Sequence, residues 1–294
     1  LHDYLLSVLL GVVEGLTEFL PVSSTAHLRI AEELLGISLS DGYWKMYSIV
    51  IQLGAILCLP IYFGPRILQF VRSFPRGERG DRTALTHPLT LVLIAFVCTA
   101  VPSYLLTKVI GKNLESLAVM GWSLLIGGIV MWIVDALFGT PRPGGRHQTE
   151  RMDDMTLGQA VWVGICQIAS AVFPGTSRSM STIAGGQLAG MSRPASLEFS
   201  FFLSFPTMLA ATAYTLLKTL HPKGAEAASA LGVMPANGHQ WLVLMIGFVV
   251  SFLVALAVVA WFMNWVRQRG FTPFAIYRII LGIAVLVWVL KGHS

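Results

Sequence analysis

Charge-free apolar windows recur along the chain at 46–65, 83–107, 116–134, 199–217 and 227–266. A helix of ~20 apolar residues crosses a bilayer core, so each window predicts a spanning helix, and the last is read as one helix from Trp241 to Met263. A sixth span, Thr272 to Leu290, is interrupted only by Arg278 near its start. A long side chain there is expected to snorkel to the interface.

Two further hydrophobic regions have a different pattern. Residues 1–36 carry Glu14, Glu18, His27 and Arg29 around Pro21, and residues 155–190 carry Arg178 just after Pro174 and Gly175. Each reads as two short apolar helices broken by a Pro and a run of Ser and Thr. Broken backbone at membrane depth is tolerated only where protein or a polar cavity surrounds it, so both are expected to be re-entrant helix pairs.

A shift of 153 residues lays Gly11 on Gly164, Pro21 on Pro174, Ser24 on Ser177, Ile30 on Ile183, Ala31 on Ala184 and Leu35 on Leu188. It also lays Thr25 on Arg178 and Glu14 on Gln167. The chain therefore reads as two repeats in one membrane domain, 1–150 and 151–294, each a re-entrant pair followed by three spans. Three is odd, so the second half enters inverted, with a site expected where the breaks meet. The expected fold is an all-α polytopic membrane protein: six transmembrane helices plus two re-entrant pairs in an inverted-topology repeat.

Composition agrees with residence in lipid. The 294 residues are 55% apolar and 12% charged, against about 25% charged in soluble domains, and mean hydropathy is +0.70. Long unbroken apolar runs exclude the alternation of a transmembrane barrel. The net charge of +5 is dispersed rather than patched, which excludes a nucleic-acid partner. Cys58, Cys98 and Cys166 lie inside apolar runs and read as packing residues rather than a disulfide or metal framework. No basic segment precedes the first apolar stretch, so a removable signal peptide is not expected. With both termini outside, the inner loops carry eleven Lys and Arg, including Arg142 and Arg146, and the outer segments seven, including Lys108, Lys112, Lys218 and Lys223. The positive-inside rule favours that orientation.

The few remaining charges define candidate chemistry. Glu14 and Glu18 stand at i and i+4, on one helix face, in a setting where ionisable groups are functional by default. The plainer alternative is a helix end with its acids in water. Ser23, Ser24 and Thr25 follow the first break and could be N-caps alone, but His27 three residues beyond Ser24 adds an acid–base group. In the second half, Gly175, Thr176, Ser177, Arg178 and Ser179, followed by Thr182, combine a helix N-terminus, hydroxyls and a guanidinium, the makings of an anion site. Arg178 ends a charge-free run of 23 residues, which argues against a snorkelling side chain.

The segments Glu14-Gly15-Leu16-Thr17-Glu18-Phe19-Leu20-Pro21-Val22-Ser23-Ser24-Thr25 and Pro174-Gly175-Thr176-Ser177-Arg178-Ser179-Met180-Ser181-Thr182 resemble the two signature motifs of the bacterial BacA-type undecaprenyl-diphosphate phosphatases. The resemblance extends through Ile51-Gln52-Leu53-Gly54, Asp153-Asp154-Met155-Thr156, Glu198-Phe199-Ser200-Phe201 and Pro273-Phe274-Ala275-Ile276-Tyr277-Arg278. One departure is Ala26, where the family commonly has Gly; a methyl there suits a helical residue and not a positive φ.

What the resemblance implies is hydrolysis of undecaprenyl diphosphate to the monophosphate and inorganic phosphate. That reaction recycles the lipid carrier of cell-wall synthesis and confers bacitracin resistance. Ser24 would be the nucleophile, with His27 an open alternative, and Glu18 and His27 would move protons. Arg178 would clamp phosphate, and Ser23, Thr25, Gly175, Ser177, Ser179 and Thr182 would bind it. A divalent cation, Mg or Ca, on Glu14 and Glu18 is expected, and no organic cofactor. The setting is the bacterial plasma (inner) membrane, with the site open to the periplasmic side and a homodimer admissible. The rival reading is a lipid-phosphate transporter or flippase, since inverted repeats with broken helices also serve alternating access; a carrier has no need of a nucleophile and base.

Overall fold

The computed structural model describes residues 2–38, 41–106, 116–140, 149–220 and 233–291. Helices α1 (His2–Thr17) and α2 (Ser24–Leu34) form the first short pair, followed by α3 (Gly42–Ile56), α4 (Cys58–Tyr62), α5 (Gly64–Ser73), α6 (Pro88–Leu105) and α7 (Leu117–Phe138). After a single 3₁₀ turn at Met152–Asp154 come the second short pair, α8 (Leu157–Val172) and α9 (Arg178–Leu188), then α10 (Arg193–Leu220), α11 (Gly238–Arg269) and α12 (Thr272–Leu290). Six helical stretches, α3 with α4 among them, are long and apolar enough to cross a membrane. The chain is a polytopic α-helical membrane protein.

All six predicted spans are present, with shifted ends. The first starts at Gly42 because Asp41 caps it by accepting from the Tyr43 N–H. The fourth begins at Arg193 rather than 199, and the fifth runs from Gly238, capped by Asn237, to Arg269. A charge-free window ignores caps and turns, so it stops short of the polar ends of the fourth helix and overshoots the second, which is Pro88–Leu105 within 83–107. Of the residues counted for orientation, Lys108, Lys112, Arg142, Arg146 and Lys223, and the side chain of Lys218, lie outside the described residues, as do 227–232 of the fifth window. The three cysteines are free thiols, Cys58 buried and the others half-buried.

The two short pairs have matching local chemistry. α2 and α9 are both 11 residues long, and each is capped by a serine with positive φ, Ser23 at 75° and Ser177 at 71°. Each cap hydroxyl accepts a backbone N–H three residues on, from Ala26 and Met180. Positive φ on a residue with a Cβ stores strain, and it recurs at both breaks. Ala26 itself is helical and fully buried, so the methyl costs nothing there. A Cβ on Gly11 would stand 2.8 Å from the Gly247 carbonyl oxygen, and one on Gly164 2.5 Å from that of Ala95. Both glycines therefore let a short helix press against a spanning one.

Those glycines keep the offset of 153, whereas the caps are 154 apart. The second break is one residue longer from Pro to cap, and Gly175, at φ 90°, absorbs the extra residue. The counterpart of Arg178 is accordingly Ser24 and not Thr25: each is the first residue of its helix.

α12 packs along α7, α1 along α11, α6 along α8, and α9 against α8 and α10. Arg278, expected to snorkel, is instead fully buried. Its guanidinium donates to the carbonyls of Pro21 (3.0 Å), Ser123 (3.0 Å) and Gly175 (3.2 Å), bridging both breaks to α7. The Pro21 and Gly175 carbonyls lie in the breaks, outside any helix, and a buried unmet carbonyl costs about 1–3 kcal/mol. Phe19, also fully buried, fixes the first break by an edge contact with Phe201, whose neighbours include Phe63 and Phe262.

A second polar knot sits where α7 ends. Asp135, its side chain wholly enclosed, accepts from Arg193 at 2.7 and 2.9 Å, from Gln187 at 2.9 Å, and from the Phe271 N–H at 3.0 Å. The same end carries Arg66 paired to Asp153 and Glu198, and Arg79 to Asp154. At the opposite end, Tyr4 and Asp3 bond His239, and Tyr43 bonds the Gln240 carbonyl.

Removing one partner of a buried ion pair costs about 3–5 kcal/mol, whereas an exposed pair is worth about 0–1 kcal/mol. Asp135→Ala should therefore lower the thermal unfolding midpoint of detergent-solubilised protein strongly, and Arg79→Ala should leave it nearly unchanged. Equal midpoints for the two variants would show that the Asp135 knot carries no special weight.

Candidate active site

Both breaks open on one cavity of about 510 Å³. From the first pair it receives Glu18, Ser23, Ser24 and Thr25; from the second, Pro174, Gly175, Ser177 and Arg178. The sequence dictates this meeting point, because a helix that stops early ends in backbone groups without intrahelical partners. Two such ends gather around one polar space, and the first turns of α2 and α9 present the positive ends of two helices to it.

At its centre Glu18 joins the halves. One carboxylate oxygen accepts the Ser24 hydroxyl at 2.6 Å, and the other accepts from an Arg178 terminal nitrogen at 2.9 Å. All three side chains are nearly enclosed, in surroundings where an unpaired charge would be costly. Arg178 also donates to the Ser204 carbonyl at 3.1 Å, while its Nε–H has no acceptor. That leaves a serine hydroxyl hydrogen-bonded to a carboxylate base, beside a guanidinium with a spare donor. Chemically, such an arrangement is suited to activating a hydroxyl next to a site for an anionic group.

Not every expected residue faces this space. His27 is turned away: Nδ1 bonds the Ser23 carbonyl at 2.7 Å, Nε2 bonds the Tyr277 hydroxyl at 2.7 Å, and its ring stacks on Tyr277. One helical turn separates positions i and i+3, but Ser24 and His27 point to different neighbours. Ser179 is buried against the first break, donating to the Leu20 carbonyl at 3.0 Å. Thr182 lies behind Arg178, bonded to its carbonyl and to Ser200. Both hold α9 in place and neither lines the cavity.

Glu14 is completely buried one turn before Glu18, and both its carboxylate oxygens lack a hydrogen-bond partner. Among the described residues no group of three or more His, Cys, Asp or Glu could hold a metal ion. Of the pair expected to bind a cation, Glu18 is engaged by Ser24 and Arg178, so only Glu14 has free oxygens.

The sequence reading missed much of the wall. Gln52 on α3, Thr99 and Ser103 on α6, Gln167 and Ser170 on α8, and Thr207 on α10 supply its other polar groups. The available signal was the i, i+4 spacing of Thr99 and Ser103 inside an otherwise apolar span.

Comparison with known proteins identifies the family of the chain. The model of the family "Bacitracin resistance protein BacA" matches residues 7–284. An undecaprenyl-diphosphatase of Koribacter versatilis (strain Ellin345) is 67% identical over 291 residues, 99% of this chain and all of the relative. Those of Rhizobium etli (strain CIAT 652) and Caldanaerobacter subterraneus subsp. tengcongensis are 40% and 37% identical, over 99% and 95% of this chain and 98% and 93% of theirs. Matched along almost its whole length, the chain belongs to the BacA family.

Proposed function

We propose that this chain hydrolyses undecaprenyl diphosphate at the membrane, with Ser24 as nucleophile, Glu18 as its base and Arg178 as the phosphate clamp. The observation that carries the reading is Glu18 itself, holding the Ser24 hydroxyl with one oxygen and Arg178 with the other. Glu18 takes the Ser24 proton as Oγ attacks the terminal phosphorus in line. The anhydride bond breaks, and the protonated Glu18 passes its proton to the departing lipid monophosphate. Arg178 and the first-turn amides of α2 and α9 balance charge on the phosphoryl oxygens. The restored carboxylate then takes a proton from water, which attacks the phosphoserine, and returns that proton to Ser24 as inorganic phosphate leaves.

A divalent cation would be held by Glu14, whose two carboxylate oxygens are buried without a partner one turn before Glu18, oxygen donors that suit a hard cation. When bound it would offset phosphate charge. The matching serine caps and the shared cavity support the inverted repeat, with each short pair entering and leaving on one side. The gathering of Arg66, Arg79, Arg82 and Arg193 at one end supports termini that lie on the outer side of the plasma membrane.

Phosphate release by the purified protein in detergent separates this reading from a carrier, which releases none. Ser24→Ala should lower that rate by at least about a thousandfold, with helical content unchanged. His27→Gln should stay within about tenfold of the parent, because the imidazole acts only by holding α2 against α12. The opposite ranking would move the attacking group to the imidazole. Arg278→Lys cannot reach three carbonyls with a planar fork. It should lower kcat on the order of a hundredfold, since small displacements of reacting groups cost that much, and leave KM within a few-fold. A change confined to KM would assign Arg278 to substrate binding instead.

A further inference from the structure

The cavity does not end at the polar site. From α6 it takes Phe96, Thr99, Ala100, Ser103 and Tyr104, and from α10 it takes Thr207, Met208, Ala210, Ala211 and Tyr214. The α6 positions fall at i, i+3, i+4, i+7 and i+8, and Thr207, Ala210, Ala211 and Tyr214 at i, i+3, i+4 and i+7. Each set is thus one continuous stripe along its helix. The stripes begin beside Arg178, which bonds the Ser204 carbonyl just before Thr207. They finish at Tyr104 and Tyr214, whose rings meet edge to face at 6.4 Å. Over seven residues a helix rises ~10 Å, so the stripes form a cleft of that length leading away from the chemistry.

The far part of this cleft, apolar apart from Ser103 and the two tyrosine hydroxyls, opens sideways. Tyr104 is 65% and Tyr214 47% exposed, and both belong also to the outer faces of α6 and α10, with Val101 and Leu105 on one and Leu209 and Leu217 on the other. Those outer faces lie on helices long and apolar enough to cross a membrane, so the cleft breaks the surface where lipid chains would lie. Ala100, Ala210 and Ala211 keep the two helices from filling it.

We infer that the slot between α6 and α10 is the lateral portal for the prenyl chain, holding its first isoprene units while the remainder stays in the bilayer. The inference rests on the proposed lipid diphosphate substrate and adds where its tail lies. One cavity then matches an amphipathic ligand at both ends: Arg178 and the helix N-termini for the diphosphate, and an alanine-lined slot for a short run of isoprene units. It follows that chain length is read only as far as the tyrosine pair. A second apolar groove, of about 610 Å³ between α7, α8 and α9, is lined by Trp122, Ile126 and Met180. Glu18, Ser24 and Arg178 do not line it, so a tail seated there could not place its diphosphate in the site.

The portal can be tested on the full chain in detergent micelles. A non-hydrolysable fifteen-carbon prenyl methylene-diphosphonate carrying a diazirine on its second isoprene unit should label residues between 96 and 104 and between 207 and 214. Labelling of α7 and α9 at the second groove would overturn the portal. Separately, Ala211→Trp should lower kcat/KM for a fifteen-carbon prenyl diphosphate about tenfold or more while a five-carbon diphosphate loses less than about twofold, the discrimination a filled apolar pocket yields. Ala213→Trp, exposed on the same helix outside the cleft, should change neither. An equal loss on both substrates, or none on either, would overturn the assignment. Absence of phosphate release from the parent protein would instead count against the proposed reaction, and the labelling pattern would still be readable.

Discussion

Two interruptions of helical backbone inside an apolar molecule create carbonyl groups that lipid cannot satisfy, and one guanidinium answers for both. Arg278 donates to Pro21 and Gly175, one carbonyl from each break, and to Ser123 on α7. Unmet polar groups at membrane depth cost several kcal/mol, so this contact is what lets the chain stop two helices early. Everything chemical depends on those stops. They turn Ser24 and Arg178 into first residues of helices, and they bring two helix N-termini to one space.

The halves are matched in backbone and different in chemistry. Serine caps with positive φ stand at both breaks, and behind them the equivalent positions are Ser24 in one half and Arg178 in the other. Glu18 then reaches across, bonding a hydroxyl from its own half and a guanidinium from the other. In the proposed reaction, neither half holds nucleophile, base and clamp together. Both breaks therefore have to line one cavity, and the fully buried Phe19 sits where the first break meets α10.

The charges that apolar surroundings should forbid were readable from the sequence, and Glu18 and Arg178 are the pair that bonds. The spans were readable for the same reason, since hydropathy reports the cost of placing charge in hydrocarbon. Arg278 was misread because a charge near a helix start can either snorkel or turn inward, and the outcome depends on carbonyls more than 100 residues away in sequence. His27 was misplaced because helical spacing specifies a face and not the Tyr277 hydroxyl waiting on another helix. The repeat slipped by one residue at Gly175, where a positive φ takes up an insertion that identity matching does not register. The walls of the cleft were hidden in apolar windows, since alanines gain meaning only when two helices face each other across a gap.

The central claim is that Ser24, held by Glu18 and faced by Arg178, receives the phosphoryl group. Rapid acid quenching of the purified protein during turnover of undecaprenyl diphosphate, radiolabelled at the terminal phosphorus, tests it directly. The account predicts label retained through acid on the peptide containing Ser24, and its loss in Ser24→Ala. Acid-labile label on His27, or phosphate released at full rate with no label on the protein at any time, would contradict it.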